Sequence, residues 1–229
     1  SAQAQEACDA VWDATITTTD QWPLEDEPHA IARMLEALDR TLALYPDGFF
    51  RQMKNTMGEG GVRFMPVGHI ENAVNAIGLT YETYGWQNIY IDVTIDAFEG
   101  TICHEIWHAI EGVLLTRNWN AIDQEEWAAC NPAGFSYNED AETPDSNPER
   151  WTFFYEFNAQ DVYFVDAYSR TNAKEDRARI MEYIMATEDV AGALVQSPAI
   201  AQKLQIMCRA IRENFDTSSW GELRWERVL

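Results

Sequence analysis

The chain has 229 residues and a formal charge of −22, from 38 Asp+Glu against 16 Lys+Arg, yet 46% of it is hydrophobic and 12% aromatic. That apolar content excludes a disordered acidic chain. The charge argues against nucleic acid or anionic lipid as a partner, because both are bound through clustered Lys and Arg. No apolar run long enough to span a membrane is present.

Residues 11–19 are β-branched and Thr-rich and read as a strand. Pro28 suits the first position of a helix, and Ile31, Met34, Leu35, Leu38 and Leu42 recur at helical spacing, so 28–45 reads as an amphipathic helix. A Gly-rich turn at 57–61 precedes a short strand at 62–67. A stronger strand follows at 89–95, where Ile89, Ile91, Val93 and Ile95 alternate with Tyr90, Asp92 and Thr94. Residues 98–116 read as a helix. From 117 to 150 the periodicity breaks into Pro, Asn, Asp and Gly, the pattern of a long surface excursion. Residues 151–168 are aromatic-rich and fit helix or strand. Residues 174–185 read as a helix, and Ser197-Pro198 starts another that runs to about 215.

Neither an internal repeat nor a Gly/Ser-rich linker interrupts the chain, so a single domain over 1–229 is expected. Its sheet-containing part is about 1–116, its surface excursion 117–150 and its helical part 151–229. The expected class is α+β, with a small mixed sheet in the N-terminal half. Cys8, Cys103, Cys130 and Cys208 lack C-x-x-C spacing, which argues against a thiolate metal site and leaves open one disulfide or four free thiols. Ser1–Gln5 has neither a charged nor an apolar signal region, so a signal peptide was never present or has been removed. The acidity and nine tryptophans fit an exported protein.

The chemically informative run is Cys103-His104-Glu105-Ile106-Trp107-His108, which contains H-E-x-x-H on a predicted helix that follows a strong strand. Positions i and i+4 share a helix face, so His104 and His108 can hold one Zn²⁺. Glu105 then reaches beside the metal as a general base toward water. The competing reading is two histidines partnered on a helix face. Trp107 and Cys103 read as packing residues, and His29 and His69 as surface or core histidines.

A catalytic zinc takes three protein ligands. No third histidine follows in the metzincin spacing, since position 111 is Glu where Gly is required. The third ligand is therefore expected to be a carboxylate. Glu111 lies too near along the same helix and reads as solvated or as a support for a ligand. Glu125 and Glu126 sit at a thermolysin-like distance but without a helix signal. Glu175 is the better candidate: Thr171-Asn172 can cap a helix, which puts Glu175 in its first turn, with Tyr168 seven residues earlier as a donor to a developing oxyanion. A surface Glu in an Asn172–Glu175 capping box and a core Tyr168 is the alternative. Asp176 is a candidate hydrogen-bond partner for a zinc histidine. Trp119, Trp127 and Trp151 flank the excursion and read as core packing or as the lining of a cleft.

Tyr168-Ser169-Arg170-Thr171-Asn172-Ala173-Lys174-Glu175 resembles the segment of the anthrax lethal factor catalytic domain that supplies a tyrosine and a glutamate zinc ligand, with the same separation and the same Arg-Thr-Asn centre. His104–His108 looks like the active-site helix of that gluzincin group, which includes the secreted Pro-Pro endopeptidases. The resemblance extends to zinc metallopeptidases of gut bacteria, often exported lipoproteins. It covers roughly residues 89–190. It implies a zincin-like fold with the sheet packed on the active-site helix, and one Zn²⁺ per chain on His104, His108 and Glu175. Glu105 would be the general base and Tyr168 the oxyanion donor. A peptide or protein is the implied substrate, and a secreted or cell-surface bacterial location is implied too. Asp176-Arg177 departs from the aromatics that follow the ligand glutamate in lethal factor. Three readings remain: a zinc peptidase, whether an endopeptidase or one with a thermolysin-like third ligand; a zincin-like binding protein without turnover; and a helical protein carrying the motif by chance.

Overall fold

The structure, a computed structural model, describes residues 13–24, 28–71, 76–137 and 147–229. Strands β1 (Ala14–Ile16), β2 (Gly61–Val67), β3 (Gly78–Thr83) and β4 (Trp86–Asp92) form one sheet in the order β1-β2-β4-β3. The β1–β2 and β2–β4 pairs are parallel, and β3–β4 is antiparallel, so β3 is an edge strand. β3 and β4 are joined through Tyr84 (φ 51°) and Gly85 (φ 83°), both in the left-handed region that two-residue hairpin loops require.

Of the strands expected from sequence, 62–67 is found as β2. Only Ala14–Ile16 of 11–19 is a strand within the described residues. The strand expected at 89–95 lies at 86–92 instead. Its early end has a physical cause. The Asp92 carboxylate accepts the Thr94 amide (2.8 Å), the Thr94 hydroxyl (2.6 Å) and the Ile70 amide (3.2 Å), which turns the chain out of the sheet.

Six α-helices lie among the described residues: α1 (Pro28–Leu42), α2 (Phe98–Arg117), α3 (Gln124–Ala129), α4 (Ala173–Ala186), α5 (Glu188–Leu194) and α6 (Pro198–Asn214). This is the expected α+β class, with a small mixed sheet early in the chain and a helical second half. Ser197 caps α6 by accepting the Ile200 amide at 3.1 Å, and Pro198 fills its first turn.

α2 is apolar over most of its circumference and is buried accordingly. Ile102, Cys103, Ile106, Trp107, Ala109, Ile110, Val113 and Leu114 are all enclosed, between the sheet on one side and α1 and α4 on the other. One hydrophobic cluster runs from Ala14 through this helix to Trp225 near the end of the chain. The segment after α6 returns to the loop behind α1, where Phe49 stacks on Phe215 with centroids 5.4 Å apart.

Two buried ion pairs lock α4 in place. Arg177 grips Glu111 of α2 through Nε (2.9 Å) and Nη2 (2.6 Å), and Lys203 of α6 reaches Asp176 at 2.7 Å with both side chains fully enclosed. The excursion is tied to the same point: Tyr137 donates to Asp176 (2.7 Å) and accepts from the Trp127 indole (2.8 Å). Trp127 is core, whereas Trp119 is 84% exposed and does not pack. Cys103, Cys130 and Cys208 are free and buried, and Cys8 lies outside the described residues. Among the described residues no helix is long and apolar enough to cross a membrane.

Candidate metal centre

α2 presents His104 and His108 one turn apart on the same face. Opposite them stands the first turn of α4. Asn172 caps it, its side chain accepting the Lys174 and Glu175 amides at 3.0 Å each. The Glu175 carboxylate does not close the capping box on the surface; its side chain is 18% exposed and turns inward to the histidines. Glu175 Oε2 lies 3.0 Å from His104 Nε2 and 3.4 Å from His108 Nε2, and the two Nε2 atoms are 3.1 Å apart. Among the described residues this is the one group of three ligating side chains whose donor atoms converge.

Zinc bonded to nitrogen and oxygen at about 2.0–2.1 Å in a tetrahedron spaces its ligand atoms about 3.3–3.4 Å apart. The three separations sit at or slightly inside that edge. Two imidazoles and a carboxylate therefore face one point, close enough together to hold a metal ion.

The supports of this trio differ from those read in the sequence. Glu182, two turns after Glu175 on α4, accepts from His104 Nδ1 at 3.1 Å. A carboxylate on Nδ1 fixes the ring and aims Nε2 at the other donors. With carboxylates on both ring nitrogens, His104 is lifted to about 9: burial opposes its charge, and the bonds to Glu175 and Glu182 outweigh burial. Glu175 is held well below the usual carboxylate range, burial being outweighed by the two histidines. Asp176, the sequence candidate for partnering a zinc histidine, points away into the Lys203–Tyr137 cluster and bonds neither histidine. Adjacent helix positions face different sides, so with Glu175 toward α2, Asp176 turns into the core.

Glu111 is not solvated; it is enclosed by Arg177 and the Trp107 indole, which donates at 3.2 Å. Glu125 and Glu126 lie on α3, which Asp123 caps, and Glu126 pairs with Arg209. His29 is exposed, and His69 bonds Asp92 at 3.2 Å.

Glu105 is buried beside the trio. Thr80 of the edge strand donates its hydroxyl to Glu105 Oε2 at 2.7 Å and to the Glu105 carbonyl at 3.1 Å. Burial pushes the Glu105 carboxyl up, against the pull of the two histidines. Gly78 of β3 permits this approach: a Cβ there would lie 2.7 Å from Glu105 Cγ. Tyr168 belongs to a short 3₁₀ turn and is 48% exposed, not core; its ring centroid is 6.2 Å from that of His104. Burial and the hydrogen-bonded Glu175 carboxylate raise its phenol, which stays protonated at neutral pH. A cleft of about 300 Å³ opens between Ile77–Gly78 at the start of the edge strand and Arg179 and Glu182 on α4, with His104, Glu105 and Tyr168 in its wall.

Neither a family model nor a curated protein matches the chain. Among solved structures it is similar to a protein from Bacteroides caccae described as a "putative zinc-binding metallo-peptidase", at 13% identity, TM-score 0.46, and coverage of 99% of this chain and 88% of that one. A likeness this distant carries no weight for the chemistry, which stands on the side chains.

Glu182, Arg179 and Thr80 belong to no recognisable motif in the sequence. Glu182 carries a signal all the same: it follows Glu175 by two helical turns and so shares its face. Thr80 carries none, because β3 itself is not visible as a strand.

Proposed function

We propose that the chain is a zinc-dependent peptidase that hydrolyses peptide bonds, with His104, His108 and Glu175 as the metal ligands. The observation that carries this is the convergence of the three donor atoms at tetrahedral spacing with Glu105 and Tyr168 beside them. Bound there, zinc supplies Lewis acidity toward water and toward a carbonyl oxygen.

The remaining chemistry belongs to the chain. Glu105 takes the proton of the attacking water and hands it to the departing amine. Its environment suits that work: Thr80 fixes one carboxylate oxygen, and burial makes the group a stronger base than a free glutamate. Tyr168 keeps its proton and donates a hydrogen bond to the oxygen on which charge develops. Glu182 holds His104 in orientation. Strand β3 is an edge, so an extended peptide can pair along it and pass Glu105 with chain on both sides, which favours an endopeptidase.

Elemental analysis and a labelled peptide library test this together. About one zinc per chain is expected, and Glu105→Gln should keep the metal while losing hydrolysis by a factor of about 10²–10⁴. Absence of zinc after loading refutes the metal site. Zinc without cleavage of any peptide identifies a zincin-like binding protein instead.

A further inference from the structure

Arg179 lies in the wall of the cleft beside His104, and its position on α4 is informative. It follows Glu175 by one helical turn and precedes Glu182 by three residues, so all three share a face. Its guanidinium is divided between two carboxylates. Nη1 donates to Glu182 Oε2, the same oxygen that His104 Nδ1 contacts. Nε donates to Asp166 Oδ2 at 2.9 Å, and Nη2 donates to that oxygen as well. The other oxygen of Asp166 accepts the Ser169 amide (3.0 Å) and the Ser169 hydroxyl (3.2 Å), closing the turn that contains Tyr168.

We propose that Arg179 is a positioning residue that sets the Tyr168 phenol and the His104 ring together, through Asp166 on one side and Glu182 on the other. The inference rests on the metal reading of the site only for its His104 arm. Arginine suits the position because its planar fork can hold two carboxylates in fixed directions, which a lysine ammonium on a flexible stem cannot. With 19% of its side chain exposed and its donors engaged by Asp166, Glu182 and Tyr183, Arg179 is a strut and not a grip for a substrate carboxylate. An ion pair that only stabilised the fold would need no link to the Tyr168 turn. Here the same side chain bonds Asp166, nine residues before Glu175, and Glu182, seven residues after it, and so reaches both the Tyr168 turn and the His104 ring.

The test uses two readouts, neither of them activity. The first is Zn²⁺ affinity by competition with a chromophoric chelator. The second is the ¹⁹F signal of Tyr168 in 3-fluorotyrosine-labelled protein without metal, assigned by its loss in Tyr168→Phe. Glu182→Ala should weaken Zn²⁺ binding about 10–100-fold, the usual loss for a group that orients a ligating histidine. Asp166→Asn should shift or broaden the Tyr168 signal. Arg179→Gln should do both, and its effect on zinc affinity should nearly vanish in a Glu182→Ala background, because it acts through that carboxylate. Should Arg179→Gln fail to fold, Arg179→Lys replaces it and should move both readouts in the same directions. A folded Arg179 variant that leaves both readouts at wild-type values overturns the proposal, as does an Arg179 effect on zinc that is undiminished without Glu182. Wild-type protein that binds no Zn²⁺ is a different result: it refutes the metal reading, while the Tyr168 signal still decides the other arm.

Discussion

Lys203→Met should destabilise the fold by about 3–4 kcal/mol, out of proportion to the loss of one lysine. Lys203 and Asp176 are both completely enclosed and meet at 2.7 Å. Removing the ammonium leaves a carboxylate with no route to solvent, and breaking such a pair from one side costs about 3–5 kcal/mol. The upper end is capped, since the aspartate can take up a proton. Bringing a carboxyl of ordinary pKa 3.8 to its neutral form at pH 7 costs about 4 kcal/mol. Tyr137 continues to donate to the same oxygen, which holds the loss below that cap. Methionine keeps most of the lysine stem, so little cavity is added, although the ammonium's place over the Phe164 (4.1 Å) and Trp127 (5.4 Å) rings is lost. For a chain of this length the loss corresponds to a fall in Tm of about 6–16 °C. Urea titration should show a lower midpoint at unchanged slope. The control is Lys203→Met with Asp176→Asn, which removes both charges and should recover most of the stability. A cost below about 1 kcal/mol for the single variant, or no recovery in the double, would refute an ionised and desolvated pair.

Three further expectations concern the site and the chain end. Glu175→Ala should strip the zinc while Glu126→Ala leaves it, because Glu175 completes the trio and Glu126 is paired with Arg209; the reverse result would assign a thermolysin-like third ligand. Gly78→Ala should retain zinc but slow hydrolysis about 10²-fold, since its Cβ would fall 2.7 Å from Glu105 Cγ and 2.8 Å from Thr101 Cγ2 and must displace the base; a wild-type rate would show that Glu105 needs no exact placement. Glu226 is held below its ordinary 4.5, its partial burial being outweighed by Arg212 and the Leu223 amide. A depressed carboxyl stabilises above its unfolded pKa and loses that contribution as pH falls through the folded value, so the stability gap between wild type and Glu226→Gln should be full at pH 6 and narrow as pH falls below the ordinary 4.5. A gap that stays constant in urea titrations from pH 6 to pH 3 would refute the assignment.

What the sequence shows and hides follows from where each residue gets its partners. α1, α2, α4 and α6 are legible because their apolar periodicity or their caps lie within the segment itself: Pro28, Asn172 and Ser197-Pro198 announce three of their starts. β3 is hidden because Gly78–Thr83 is short, half exposed and polar, with a Tyr-Gly loop in place of a usual hairpin pair. Its strand character comes from β4 and from α2, not from its own composition. The aperiodic sequence from 117 to 150 hides α3 for a similar reason, since Gln124–Ala129 holds its shape through one capping aspartate and the burial of Trp127.

The convergence of His104, His108 and Glu175 is legible since H-E-x-x-H carries its own geometry and an N-cap dates the turn in which Glu175 lies. The supports of the trio require one more step, which spacing alone could have supplied. Once Glu175 faces α2, helical periodicity puts Arg179 and Glu182 on that face and turns Asp176 away from it. Asp176 is next to Glu175 in sequence but not in space, because neighbouring helix positions point about 100° apart. The same rule yields the acid at Glu182, the cation between it and the ligand, and the turning of Asp176 to another side. It does not yield Asp166, whose link to Arg179 depends on the path of an irregular segment that only tertiary packing fixes.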